Sequence, residues 1–267
     1  ACWIPASTDW ASTDPMIDAL FISASGLRSQ QQQIDVISNN VANLQTPGFK
    51  KARVAFAAMT QTPLEGRTGT EALGLGTTML SVGTVFTAGP LQPTGNPLDL
   101  AIDGPGLFEV LDEAGERRYS RAGRLVVDGE GFLALPSGHR LSAAIQIPPD
   151  ATDVRIGRDG EVLARLSGSD EDVPLGQIDL ALVPSLDGLT AMGENLFALS
   201  ADSGEPTLGR PGDAGVGVLL QGYLESSNVD MVEEMTALVL AQRAYQLNAR
   251  LLQASDQILE TLNNLRR

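Results

Sequence analysis

The chain is short of the residues on which most active sites are built. Its 267 residues include one cysteine, Cys2, and one histidine, His139. A single cysteine forms no internal disulfide, and one Cys with one His does not make the usual zinc ligand sets. A Ser-His-Asp triad would have to use His139, which falls in the turn-like PSGHRL with no G-x-S-x-G beside it. The glycine pairs Gly74/Gly76, Gly104/Gly106 and Gly215/Gly217 do not extend to G-x-G-x-x-G, and there is no P-loop. DGEG and SDED miss the EF-hand pattern. The carboxylate pairs Asp99/Asp103 and Asp128/Glu130 stand in turn contexts, where building a loop is a simpler role than acid–base catalysis. No catalytic residue, cofactor or metal is therefore expected. No apolar run reaches the about 18 residues of a membrane-spanning helix, so direct membrane insertion is not expected either.

Basic charge is scarce too. Lys and Arg number 18 against 33 Asp and Glu, a net charge of −15. That balance excludes the basic stripes that nucleic acid demands and the polybasic surface that anionic lipid attracts. The excess is local, since residues 99–215 hold 21 carboxylates and 9 arginines. Tryptophan is confined to Trp3 and Trp10, in the same stretch as Cys2. That stretch, ACWIPASTDWASTDP, repeats ASTD and has neither a basic n-region nor an apolar h-region. Residues 1–15 are read as a leader or tag-like extension ahead of Met16.

What is present is periodic. Leu20, Leu27, Ile34 and Val41 recur every seven residues, so 16–45 reads as one helix with a coiled-coil-like seam. Only Asp18, Arg28 and Asp35 carry charge along it. Its other side holds serines, Gln30 to Gln33, and Asn39, Asn40 and Asn43, although Asn is a poor helix former. Neutral amides suit a face buried among other helices if every group finds a partner. Thr46-Pro47-Gly48 then turns the chain out of the helix. A second helix is expected over 228–265, where Leu238, Tyr245, Leu252 and Leu259 keep the seven-residue spacing and Asn248 sits in the alternate seam position. Ser226, Ser227 and Asn228 offer its N-cap.

Between the helices the pattern changes. Residues 52–97 are rich in Gly, Thr and Pro and read as an extended connector with short strands. Residues 98–222 read as an acidic β-domain, with hairpins expected at Glu113–Glu116, Asp128–Gly131 and Arg158–Gly160. The layout is a leader (1–15), an N-terminal assembly helix (16–51), the connector (52–97), the β-domain (98–222) and a C-terminal assembly helix (223–267). The fold class is α+β: long terminal helices pairing as a coiled-coil-like stalk around a central all-β domain. Each helix carries more apolar surface than one antiparallel pairing covers, which favours self-assembly. Spacing alone also fits an ordinary helical hairpin packed on its own β-domain. A secreted acidic hydrolase and a monomeric binding module are the rivals from other classes.

Several long motifs, in order, resemble one family. SNNVANLQTPGFKK resembles the N-terminal signature of the bacterial flagellar axial proteins, the rod and hook family. The stretch QGYLESSNVDMVEEMTALVLAQRAYQLNARLLQASDQIL resembles the same family's C-terminal helix. NPLDLAIDGPGLFEVL and YSRAGRLVVDGEGFLALPSGHRL agree between them, and IPPDATDVRIGRDGEV with GENLFALSADSGEP looks most like the distal rod branch. The resemblance implies a non-enzymatic subunit that leaves the cell through the flagellar type III export apparatus without a cleaved signal peptide. It implies stacking into a hollow, torque-transmitting helical tube that spans the periplasm and serves as an export channel, with the terminal helices as its inner wall. Implied partners are further copies of the chain, proximal rod proteins, the hook protein, and the periplasmic and outer-membrane ring proteins. A proximal rod or hook subunit is the alternative. The expected assembly interface is Leu20, Leu27, Ile34, Asn39, Asn40, Val41 and Asn43 with Leu238, Tyr245, Asn248, Leu252 and Leu259. The segment between Phe56 and Gly76 looks shorter than is typical of the distal branch.

Overall fold

The computed structural model describes residues 15–61, 73–112, 114–168 and 171–265. Apart from Pro15, the stretch read as a leader lies outside the described residues. The chain divides into two compact units. One takes residues up to 39, 53–83 and 232 onward, and the other takes 40–52 and 84–231.

The first unit contains helix α1 (Pro15–Ala42), most of strands β1 (Ala52–Gln61) and β2 (Leu73–Thr84), and helix α2 (Met231–Leu265). Helix α1 ends three residues short of the expected Gln45. The N–H groups of Asn43 and Leu44 bond to the carbonyls of Asn40 and Val41, so the final turn tightens to three-residue bonds. Pro47 has no N–H to continue a helix. The strands are longer than the short runs expected of a connector: β1 has 10 residues and β2 has 12, and they pair as a two-stranded sheet. Helix α2 is 35 residues long with Glu233 and Glu234 in its first turn, where carboxylates favour the positive helix end. Its start at Met231 puts Asp230, not Ser226 to Asn228, at the N-cap position.

The second unit carries β3 (Leu91–Pro93), β4 (Leu100–Asp103), β5 (Leu107–Leu111), β6 (Arg117–Ser120), β7 (Val126–Val127), β8 (Leu133–Ala134), β9 (Arg140–Leu141), β10 (Ala151–Ile156), β11 (Glu161–Leu166), β12 (Asp172–Gln177), β13 (Leu180–Leu182), β14 (Thr190–Gly193), β15 (Leu196–Ala198), β16 (Thr207–Gly209), β17 (Val218–Gln221) and β18 (Tyr223–Glu225). The main sheet runs β14-β15-β6-β5-β9-β8-β7, and β13 bridges β5 to β16. Strands β10, β11 and β12 form a separate antiparallel sheet, while β4 pairs with β17 and β3 with β18. Leu100, Phe108, Val110, Leu133, Leu180 and Leu219 make the buried centre. Tyr119, Phe197 and Leu189 form a second cluster, with Phe86 edge-on to Phe197 at 4.8 Å between centroids.

Two hairpin loops share one construction. Asp112 Oδ1 accepts from the N–H groups of Ala114 and Glu116, both at 2.9 Å. Asp128 Oδ1 accepts from Glu130 at 2.8 Å and Phe132 at 2.9 Å. An arginine closes each loop: Arg118, from the following strand β6, on Asp112 at 3.0 Å, and Arg140, from β9, on Asp128 at 2.6 Å. The N–H of Glu116 is the main reason the Asp112 carboxyl is held below its ordinary value. At Asp128 burial opposes the charge, but the two N–H donors and Arg140 outweigh it, and that carboxyl is also lowered.

Candidate functional site

Two places stand out, one in each unit. In the first unit the residues belong to the helices. Leu20, Leu27, Ile34 and Val41 are half-buried, Ile37 is buried, and Asn39 is exposed. On α2, Leu238 and Leu252 are half-buried and Tyr245 is 39% exposed. Leu259 lies on α2, but its side chain is outside the described residues. A Cβ added at Gly26 would meet Asn248 Nδ2 at 2.9 Å, so α1 and α2 approach closely there. Ala241, one heptad before Asn248, is buried, and the side of α2 that faces α1 is therefore occupied within the subunit. Beyond that contact α2 is open and apolar on its flanks and far side. Val232 is 75% exposed, Leu240 61%, Leu247 60% and Leu251 58%, with Met235, Val239 and Ile258 alongside. The seven-residue spacing of Leu238, Tyr245 and Leu252 does not single out this side, because α2 is apolar on more than one face.

In the second unit the chain segments next to the helices are tied together by buried polar groups. Asn40 pairs with a single peptide: its Nδ2 donates to Ala52 O and its Oδ1 accepts from Ala52 N, each at 2.9 Å. The side-chain amide thus stands in for a neighbouring strand. Asn43 Oδ1 accepts from Thr46 Oγ1 at 3.1 Å, inside the turn. Gly48 has φ +71°, and a Cβ there would meet Ala122 N at 2.6 Å, so its backbone lies directly on residues 121–122. Asn195 Nδ2 donates to Pro47 O at 3.1 Å. Asn195 and Glu194 have φ +60° and +53°, two consecutive left-handed non-glycine residues in the β14–β15 turn.

Beside that turn lies a buried ionic cluster. Lys50 Nζ meets Glu225 Oε1 at 2.5 Å, and Arg121 Nε stands 3.3 Å from Glu225 Oε2. Lys50 Nζ also donates to Thr87 O at 2.8 Å, Gly89 N–H to Glu225 Oε1 at 2.8 Å, and Arg121 Nη2 to Gly104 O at 2.7 Å. Burial lowers the Lys50 ammonium below its ordinary value, and the bond to Glu225 opposes the shift. Burial likewise lowers Arg121. Asn228 ties the same segments: its Oδ1 accepts from Lys51 N at 2.7 Å and its Nδ2 donates to Val85 O at 2.8 Å. Residues 48–51, 85–90 and 225–228 are thereby held as one joint. Sequence reasoning missed Lys50, Arg121, Asn195 and Glu225 and read Asn228 as a helix cap. The signal that was there is that Lys50 and Lys51 are the only lysines in the chain.

None of this resembles a reaction centre. His139 lies in the β8–β9 turn, half-buried, with its Nε2 within 3.5 Å of Glu194 Oε2. Asp128 and Glu130 both hold Arg140, at 2.6 and 2.8 Å. Asp99 is buried and accepts from Asn96 Nδ2 at 3.1 Å. Among the described residues no group of three or more His, Cys, Asp or Glu side chains could hold a metal ion, and no helix is long and apolar enough to cross a membrane.

Three family models match. One, described as "Flagella basal body rod protein", covers residues 20–50. The "Flagellar hook protein FlgE/F/G D1 domain" covers 101–164, and the "Flagellar basal body rod FlgEFG protein C-terminal" covers 220–265. The chain is 39% identical to flagellar basal-body rod protein FlgG of Caulobacter vibrioides over 262 residues, spanning 94% of this chain and all of that protein. It is 38% identical to FlgG of Bacillus subtilis over 267 residues, with the same coverage of both. Flagellar basal-body rod protein FlgF of Caulobacter vibrioides is 30% identical over 243 residues, 89% of this chain and 93% of that protein.

Proposed function

This chain belongs to the flagellar basal-body rod family and is a structural subunit of that rod, and from that premise we propose that it builds the distal segment as a hollow helical tube. The tube transmits torque across the periplasm to the hook and serves as an export channel. Its role is structural, not catalytic. Its subunits pass through the flagellar type III export apparatus without a cleaved signal peptide. Its neighbours are proximal rod proteins below, the hook protein above, and the periplasmic and outer-membrane rings around it.

One observation carries the assembly reading: the large apolar side chains of α2 that stay exposed among the described residues. Val232, Leu240, Leu247 and Leu251 are each more than half exposed. Burying one such side chain contributes about 1.5–3 kcal/mol, and the contact recurs at every subunit of a tube. In this reading α1 and α2 pair as a coiled-coil-like stalk through Leu20, Leu27, Ile34, Val41, Asn248 and Leu252. Tyr245, Leu238 and Leu259 broaden the packing. A distal position is favoured over a proximal one by identity within a single organism, 39% to FlgG of Caulobacter vibrioides against 30% to its FlgF.

Complementation tests this. The full chain is expressed in a bacterium lacking only its distal rod subunit, and basal bodies are isolated and imaged. The expected result is rods with the full chain and none with Leu251→Asp, whose purified protein keeps the wild-type circular dichroism spectrum. Rods of normal length from Leu251→Asp would overturn the assembly reading. Rescue of a proximal-rod or hook deletion instead would move the chain to that alternative.

A further inference from the structure

Residues 217–228 run across the second unit and bond to several separate, earlier parts of it. Strand β17 pairs with β4, from Val218 opposite Asp103 to Gln221 opposite Leu100, and β18 pairs with β3, from Tyr223 opposite Pro93 to Glu225 opposite Leu91. Neither β4 nor β3 belongs to another sheet. The Gln221 side chain reaches the edge of β10, where its Nε2 donates to Val154 O at 2.7 Å and its Oε1 accepts from Ile156 N at 3.2 Å. Leu219 N–H donates to Arg158 O at 3.1 Å, Gly48 N–H to Glu225 O at 2.8 Å and Ser226 N–H to Pro90 O at 2.9 Å.

The same segment completes the interior. Leu219 is buried in the core that also holds Leu100, Ile102 and Phe108. Glu225 is the carboxylate that Lys50 and Arg121 both approach, and among the described residues neither cation forms an ion pair with any other acid. Without residues 217–228, closing the unit would bury two cations with no anion, which an interior strongly disfavours. β4 and β3 would also lose the strands that satisfy their peptide groups. The earlier residues therefore cannot reach their final packing piece by piece.

We infer that residues 217–228 are a closing strap: the second unit stays open until this segment arrives and then shuts in one step, with Glu225 as the latch. The unit takes 40–52 and 84–231, so the strap lies at its C-terminal end. In a chain that emerges N-terminus first, the strap appears after nearly all the residues it holds. A nearly complete chain is thereby kept open, the state that passage through a narrow export channel requires. That consequence rests on the rod reading above, whereas the strap rests on the contacts within the unit.

The exposed turn at 212–215 allows a test that starts from the folded full chain. A site for a specific protease between Asp213 and Ala214 lets the protein be nicked, and the piece from Ala214 onward is then removed in urea and added back. Hydrogen exchange is read at Phe108, Val110 and Tyr119, whose strands pair with β9, β13 and β15 and not with the strap. Their protection is expected to fall by about a hundredfold or more on removal of the piece and to return when it is restored. Glu225→Gln keeps the size of the latch without its charge, and is expected to raise the concentration of added piece needed for recovery by about tenfold or more. Lys50→Met combined with Glu225→Gln removes one of the two cations and is expected to regain part of that loss. Protection that persists at Phe108, Val110 and Tyr119 without the piece would overturn the strap. An unchanged requirement in Glu225→Gln, or no regain in the double variant, would overturn the latch. Failure of the unaltered chain to form rods would overturn the rod reading and leave all of these readouts as they are.

Discussion

Lys50 and Glu225, 175 residues apart in sequence, form an ion pair at 2.5 Å with side chains 0% and 1% exposed. Arg121 approaches the same carboxylate, so one buried anion serves two buried cations.

The asymmetry makes Glu225 the more sensitive partner. Glu225→Ala leaves two buried cations without an anion, and removing one partner of a buried pair costs about 3–5 kcal/mol. Lys50→Met keeps the bulk of the side chain and leaves Glu225 with Arg121, so its cost is expected to be about half that or less. Urea unfolding of the two variants checks the order, and an equal loss would contradict the shared-anion reading.

Gly48 and Gly138 separate conformational strain from steric conflict. Both have positive φ, but a Cβ at Gly48 meets Ala122 N at 2.6 Å, while one at Gly138 has nothing within 4 Å. Gly138→Ala is expected to cost about 1 kcal/mol from backbone strain alone. Gly48→Ala also has to displace backbone at 121–122 and is expected to lower the melting temperature by at least twice as much.

Asn40 both donates to and accepts from Ala52. Asn40→Ala removes both bonds from a part-buried peptide, at up to about 1–3 kcal/mol. Asn40→Asp keeps the acceptor but sets a carboxylate against the Ala52 carbonyl, so it is expected to be no milder. Hydrogen exchange at the Ala52 amide distinguishes them: protection falls in the Ala variant and is partly retained in the Asp variant.

The two aspartate loops predict an acid-sensitive stability. Asp112 and Asp128 both have carboxyls lowered from an ordinary value of 3.8. A group depressed in the folded state contributes stability that is fully present above its unfolded value and is lost as pH falls through its folded value. Unfolding midpoints in urea are therefore expected to hold from neutral pH to about 5 and to drop below about 4. Asp112→Asn with Asp128→Asn should flatten that drop. An unchanged pH profile in the double variant would assign the acid sensitivity to other carboxylates.

Local pattern alone determined much of this protein. The seven-residue spacing from Leu20 to Val41 and from Leu238 to Leu259 marked both helices, because helical periodicity is set by neighbours within a few residues. The Glu113–Glu116, Asp128–Gly131 and Arg158–Gly160 stretches marked hairpins for the same reason, since turn chemistry is contained within four or five residues. The family, too, was legible from long motifs in order. Only the tertiary structure decided what the polar residues do. Asn40 bonds a peptide 12 residues away, Asn228 serves a joint instead of a cap, and Lys50 finds its anion 175 residues on. The pattern of one helix also does not say which apolar side its own partner takes. Gly26 and Asn248 settle that by letting α1 approach α2 closely, which leaves the Leu247 and Leu251 side open. Those outcomes depend on which distant segments meet, and a spacing rule carries no information about that.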